Sequence, residues 1–158
     1  MAEVTGFLER AGVDFDLLEH AHTERAADEA GALGIGPEEV AKTLVLVAPG
    51  GYVRAVLAAS ERIDLHKVAG VLGIGGKRVH LASEDDLARS YPDFELGAVP
   101  PFGGPEDQVI VDERLAGRDS LVLEAGSHDR SVRLKAADLV RLTSAQVADI
   151  CREEPTAG

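Results

Sequence analysis

Apolar and polar positions along the chain follow two periods. Val4 to Ala11 repeats at helical spacing and predicts a short amphipathic helix ended by Gly12, and Asp14 to Glu19 reads as a first strand. Thr23 is placed to cap a helix reaching Leu33, with Ala26, Ala27, Ala30 and Leu33 at helical spacing, stopped by Gly34 and Gly36-Pro37. Lys42 to Ala48 is, after its lysine, a nearly continuous apolar run of the kind that buries both faces of a strand. Pro49-Gly50-Gly51 turns the chain, and Tyr52 to Ala58 returns as the hairpin partner. Asp64 caps a helix from Leu65 to Leu72 that Gly73 ends, Lys77 to Leu81 is a short strand, and Ser83 caps a helix from Glu84 to Arg89.

Between Tyr91 and Gln108 the pattern vanishes. That stretch holds four of the seven prolines (Pro92, Pro100, Pro101, Pro105) and three glycines (Gly97, Gly103, Gly104). A loop this long inside a compact domain is usually functional or disordered. Val109 to Asp112 is a strand, and Ser120–Ala125 with Ser131–Leu134 reads as a hairpin across Gly126-Ser127-His128-Asp129. Ala136 to Leu142 is a helix, Ser144 to Ile150 is a candidate for another, and 152–158 is expected to be a flexible tail. The whole is mixed α+β, one domain over residues 1–158 with several hairpins and helices packed outside a sheet.

Composition narrows the class. The chain has 158 residues, a formal net charge of −12 and 45% hydrophobic residues, enough for a core. One cysteine, Cys151, excludes an internal disulfide framework and a cysteine-rich metal centre. No apolar run approaches the roughly 20 residues of a membrane span, and the start Met1-Ala2-Glu3-Val4 lacks a signal-peptide pattern, so a cytoplasmic location is expected. The acidity argues against broad nucleic-acid binding, DNA included. It is uneven, however. Residues 1–39 carry ten acids and two bases, residues 84–113 nine acids and one base, while residues 54–80 carry five bases (Arg54, Arg62, Lys67, Lys77, Arg78) against Glu61 and Asp64. Such a segment is either a solvated surface or a docking patch for an anion.

Few motifs carry chemistry on their own. Gly70 to Arg78 resembles a phosphate-binding loop superficially, but its spacing is wrong, Arg78 stands where a hydroxyl belongs, and a strand follows it. His20 and His22 share a face on a strand without a nearby third ligand, so they read as surface histidines rather than a metal pair. Cys151 has no activating neighbours in sequence and reads as inert. Lys42, which opens the most apolar strand, serves equally to reach solvent or to act on a ligand. In Gly97 to Gly104 the glycines allow close backbone approach to a ligand and the prolines stiffen the loop, which suits either a binding loop or a structural one.

The order of these features resembles the YbaK/prolyl-tRNA editing domain family. The matching segments are Glu19-His20, Val40-Ala41-Lys42-Thr43-Leu44-Val45, Ile63-Asp64-Leu65-His66-Lys67-Val68, Gly97-Ala98-Val99-Pro100-Pro101-Phe102-Gly103, Val111-Asp112-Glu113, Ala125-Gly126-Ser127-His128 and Ala137-Asp138-Leu139. Each is weak alone, but the ordered set covers about residues 15–150. The resemblance implies a mixed sheet, curled toward a barrel and surrounded by helices, and deacylation of wrongly charged aminoacyl-tRNA in trans, with no metal and no cofactor. It implies that Lys42, Gly97 and His128 are catalytic. It places substrate against His20, Thr43, Ala98, Val99, Pro100, Pro101, Phe102 and Gly103.

An activated ester needs positioning and charge stabilisation more than a strong nucleophile. The resemblance implies water as the nucleophile, and the absence of a legible Ser-His-Asp or Cys-His arrangement is consistent with that. The expected substrate is tRNA, foremost tRNA(Pro), carrying a small amino acid such as Ala or Cys. Pro-Pro-Phe in the loop departs from the family's Ser-Pro-Leu and weakens the case for cysteine. The acceptor end of aminoacyl-tRNA is the expected partner, and a synthetase is a second one, because a weak tRNA binder gains from tethering. Two alternatives are a non-catalytic aminoacyl-tRNA or synthetase-binding module and a small-ligand regulatory domain of the same fold.

Overall fold

The computed structural model of the chain describes residues 4–23, 26–75, 78–96, 98–103 and 107–153. In chain order its elements are α1 (Val4–Arg10), β1 (Phe15–Glu19), α2 (Ala26–Leu33), β2 (Ala41–Ala48), β3 (Gly51–Ala58), α3 (Leu65–Leu72), β4 (His80–Leu81), α4 (Glu84–Ser90), β5 (Gln108–Asp112), α5 (Glu113–Ala116), β6 (Ser120–Glu124), β7 (Arg130–Lys135), α6 (Ala136–Thr143) and β8 (Gln146–Ala148), with a 3-10 turn at Pro37–Glu39. Local signals explain most boundaries. The Asp64 carboxylate accepts from the backbone N–H groups of His66 and Lys67, and Gly73 ends α3 at a φ of 72° that a side chain would resist. Ser83 and Asp86 close a reciprocal cap on α4.

The strands form two sheets. β1, β7 and β6 make an antiparallel three-stranded sheet in that order, and β4-β2-β3-β5-β8 make a mixed five-stranded one. In the larger sheet the β2–β3 hairpin is antiparallel, while β3–β5 and β5–β8 are parallel. The sheets touch through an isolated parallel bridge between Val40 and Val122. Neither closes on itself, so the barrel-like form implied by the resemblance is an open, two-sheet arrangement.

Three apolar clusters fill the layers. The largest gathers Val45, Val56, Val99, Phe102, Val111, Leu123 and Leu139; a second packs Leu46, Ala55, Ile110 and Ile150 under Val68 and Ala69 of α3; a third joins Ala30, Val40 and Val122. Among the described residues no helix is long and apolar enough to cross a membrane.

Three expectations change. Ser144 to Ile150 is not a helix: Ser144 takes a left-handed conformation (φ 51°) that ends α6, and Gln146–Ala148 then pair with the free edge of β5. A turn of helix, α5, fills the step after β5, capped by the Asp112 carboxylate accepting from the Arg114 N–H. The strand read from Lys77 narrows to His80–Leu81, with residues 76 and 77 outside the described residues. α2 starts at Ala26, and residues 24 and 25, between it and the expected cap Thr23, are likewise outside them.

Candidate active site

β2 has two edges. β3 takes one along its whole length, from Ala41 to Ala48. The other is bridged to Val122 at Val40 and paired with β4 only at Leu46 and Val47. Between these two contacts the edge of β2 from Ala41 to Leu44 has no strand partner among the described residues, leaving a fork between the sheets. The bridge is parallel, so two residues beyond it stand Lys42 on one tine and Glu124 on the other. This fork is where the described chemistry concentrates.

Lys42 follows Val40 at strand spacing and shares its side of β2 with Leu44 and Leu46. Val40 belongs to the cluster under α2 and Leu46 to the one under α3, so Lys42 falls between two apolar masses. It does not snorkel freely. The half-buried ammonium donates to the Glu61 carbonyl at 2.6 Å. Burial pushes its pKa below the usual lysine range, with the nearby Arg62 charge acting the same way and Cys151 and Glu61 opposing. Thr43 points to the other side of β2, the side that carries Ala41, Val45 and the Ala98–Gly103 loop. Lys42 and the loop therefore stand on opposite faces of the hairpin.

The opposite tine is built by β6, β7 and the turn between them. Glu124, Ser131 and Leu18 are register partners and share one face. α2 lays the fully buried Glu29 over it. Ser131 Oγ contacts both the Glu29 carboxyl and His20 Nε2, the latter at 2.8 Å, while His20 Nδ1 donates to the Ala21 carbonyl at 2.7 Å. Burial raises the Glu29 pKa above its ordinary value of 4.5, opposed by the Ser131 hydrogen bond and by the charges of His20 and His128.

His128 is buried. Its Nε2–H donates to the Leu96 carbonyl at 2.6 Å, Nδ1 lies 2.9 Å from the Glu124 carboxyl, and its backbone N–H donates to Glu95 Oε2 at 2.9 Å. The His22 ring meets it edge-on, with centroids 5.2 Å apart. The structure thus brings His20 and His22, read from sequence as surface histidines sharing a face, to the same side as His128. Beside this corner lies a cleft of about 730 Å³ between residues 92–95, 125–130 and the start of α1.

Gly97 lies outside the described residues. Ala98 to Phe102 are buried, with Val99 and Phe102 in the main core and the Phe102 ring stacked on Phe7 at 5.1 Å. Their side chains face the core, so what they offer a ligand is main chain. His128 fixes the loop where it begins, at Leu96, and Arg54 fixes its far end. Arg54 is 1% exposed and donates to the Pro100 carbonyl (2.7 Å), the Gly103 carbonyl (2.6 Å) and Asp107 (2.9 Å). Its guanidinium lies 4.9 Å from the Tyr91 ring centre, and the Tyr91 hydroxyl donates to Asp107.

Sequence reasoning had grouped Arg54 with the basic segment. Its place inside the otherwise apolar run Val53–Ala58 was the available clue, since a charge there must be buried and paired. Glu29, Ser131 and Glu124 were missed altogether. Neither Ser131, fully buried, nor Cys151, buried with its thiol pushed up to about 12 mainly by burial, is a ready nucleophile.

Comparison with known proteins gives this geometry a context. Residues 20–142 match the family model described as the aminoacyl-tRNA editing domain. The chain is 31% identical over 151 residues to the multifunctional Ser/Thr-tRNA deacylase ProXp-y of Escherichia coli K12, covering 92% of this chain and 89% of that one. Among solved structures it resembles a candidate trans-editing enzyme for prolyl-tRNA synthetase (TM-score 0.84, 28% identity, 95% of each chain covered). It also shares its fold with the hypothetical protein APE2540 (TM-score 0.86, 24% identity, 96% of this chain and 100% of that one).

Proposed function

The chain belongs to the family of aminoacyl-tRNA editing domains, hydrolases of the ester between amino acid and tRNA, and on that premise we propose that it removes a small, wrongly attached amino acid from tRNA in trans. The observation that carries the reading is the fork: a half-buried ammonium of lowered pKa on one tine, and a buried carboxyl–hydroxyl–imidazole chain behind the other. In this reading the acylated ribose enters between β2 and β6. The oxygen of water bonds to the carbonyl carbon, negative charge gathers on the carbonyl oxygen, and the bond to the ribose oxygen breaks as that oxygen takes the proton that the water gives up, releasing the free amino acid and the tRNA hydroxyl. Lys42 stabilises the developing charge, and it does so more effectively beside apolar walls than in water. Thr43 and the main chain of Ala98 to Gly103, across the hairpin from Lys42, meet the substrate around the open edge of β2 and bound its ribose side. His128, with both ring nitrogens engaged, and His20 hold the walls.

The substrate class is tRNA bearing Ala, Cys, Ser or Thr. Ala and Cys on tRNA(Pro) are the expectation from the sequence, and Ser and Thr enter because the E. coli relative is named for them. A small pocket suits this role, because a synthetase separates one methylene by only about 1–3 kcal/mol and needs a second sieve. The test is a deacylation panel with Ala-, Cys-, Ser-, Thr- and Pro-charged tRNAs. Hydrolysis of one or more of the small esters with Pro-tRNA(Pro) spared is the expected result. A purified protein that binds the charged tRNAs and hydrolyses none would establish a binding module in place of the enzyme.

A further inference from the structure

We infer that Arg54 is a positioning residue for the deacylation reaction, acting by holding the Ala98–Gly103 loop in its working shape; the inference rests on the reading of that loop given above. A guanidinium buried to 1% exposure inside an apolar strand is retained only with its donors satisfied. Here every nitrogen is directed to a different point of one segment: Nη1 to the Pro100 carbonyl, Nη2 to the Gly103 carbonyl and Nε to Asp107. The planar fork fixes the angles between these bonds, so three points along the chain are held in one plane. Tyr91 closes the arrangement, its ring under the guanidinium and its hydroxyl on the same Asp107 carboxylate.

The sequence of the loop fits this use. The peptide whose carbonyl Arg54 takes at Pro100 is followed by Pro101, so turning that carbonyl inward strands no N–H. Gly103 accepts the φ of 80° at which the second carbonyl is presented. Without Arg54, two carbonyls and a carboxylate would be left inside the core, and the loop would have to shift to reach water. Catalysis by main-chain placement is sensitive to such shifts, a misplacement of about 1 Å costing on the order of 100-fold.

The test compares Asp107→Asn, Arg54→Lys and the paired change Arg54→Met with Asp107→Asn, which leaves no lone buried charge. Wild type must first hydrolyse a member of the charged-tRNA panel; if it does not, the proposed function fails and Arg54 is not at issue. With an active wild type, the paired variant, confirmed folded by thermal unfolding, is expected to lose about 10- to 100-fold in kcat with KM within about threefold. Amides of Ala98, Val99, Phe102 and Gly103 should exchange faster while those of β2 and β3 do not. Arg54→Lys, with one ammonium for three acceptors, should fall between. Asp107→Asn keeps both carbonyl bonds and should stay within about threefold of wild-type kcat even if its melting temperature drops. A folded paired variant with wild-type kcat, or an Asp107→Asn variant as slow as the paired one, would overturn the inference.

Discussion

Replacing Glu29 by glutamine isolates the most costly buried group of the fork. Glu29 is fully buried, one carboxyl oxygen meets Ser131, and Oε1 has no hydrogen-bond partner among the described residues. Ser131 donates its hydroxyl proton to the first of these oxygens, which favours the charged form, but burial outweighs it and the Glu29 pKa is raised. The sign of the pH dependence follows. Below the ordinary value of 4.5 both folded and unfolded chains are protonated at this position, and the stability it confers is fully present. As pH rises the unfolded chain ionises first, so folding binds more protons, and stability falls by up to about 1.4 kcal/mol per pH unit until the folded group ionises. E29Q keeps the shape and an acceptor for Ser131 but cannot titrate. Urea unfolding of both proteins at pH 4.5, 5.5, 6.5 and 7.5 is the assay. Near pH 4.5 the two should agree within about 1 kcal/mol, and the variant should gain on wild type with rising pH along that slope before the difference levels. Parallel stability curves across the range would refute the raised pKa of Glu29.

Lys42→Met should slow single-turnover deacylation by about 10²- to 10³-fold while filter binding of the same tRNA changes little, since the ammonium acts on charge that appears in the transition state. Asp149 is held down to about 2 by hydrogen bonds from Lys67 and Arg114. The stability it confers is present above its ordinary 3.8 and lost as pH falls toward 2, so Asp149→Asn and wild type should differ in denaturant midpoint at pH 5 and converge near pH 2. Gly126→Ala should destabilise by about 1–3 kcal/mol in chemical denaturation, because φ is 90° there and a Cβ would stand 3.0 Å from the Phe94 ring.

What the sequence made legible were the features whose causes are local. Asp64 and Gly73 bracket α3 within ten residues, and the apolar run after Lys42 followed by Pro49-Gly50-Gly51 leaves little but a hairpin. Where a partner distant in sequence decides, the reading stopped. Gln146–Ala148 are strand only because β5 has a free edge beside them. Lys42 stood out as a lysine opening an apolar strand, but its surroundings depend on where Val122 meets Val40, and that is a contact between sheets. Glu29 and Ser131 are 102 residues apart and each is unremarkable alone: one acid among several in an acidic segment, one hydroxyl in a hairpin. His20 was picked out by resemblance, and only the fold supplies its partners.

Net charge is where local reading left most open. The basic segment 54–80, with five bases against two acids, allowed either a solvated surface or a docking patch. Folding spends Arg54 on the loop carbonyls and Asp107, and Lys67 on Asp149 and the Cys151 carbonyl. Arg62 and Arg78 are the bases of that segment left exposed among the described residues. Two exposed cations among the described residues of this segment offer a tRNA body little grip, because each phosphate neutralised needs its own lysine or arginine. On the proposed reading the protein holds the acylated end, where few phosphates are near. A trans-acting editor must sample many correctly charged tRNAs and release them unchanged. On that reading, weak contact made at the ester lets discrimination come from the shape of the fork and not from the affinity of the tRNA, and the excess of acidic residues is compatible with that separation.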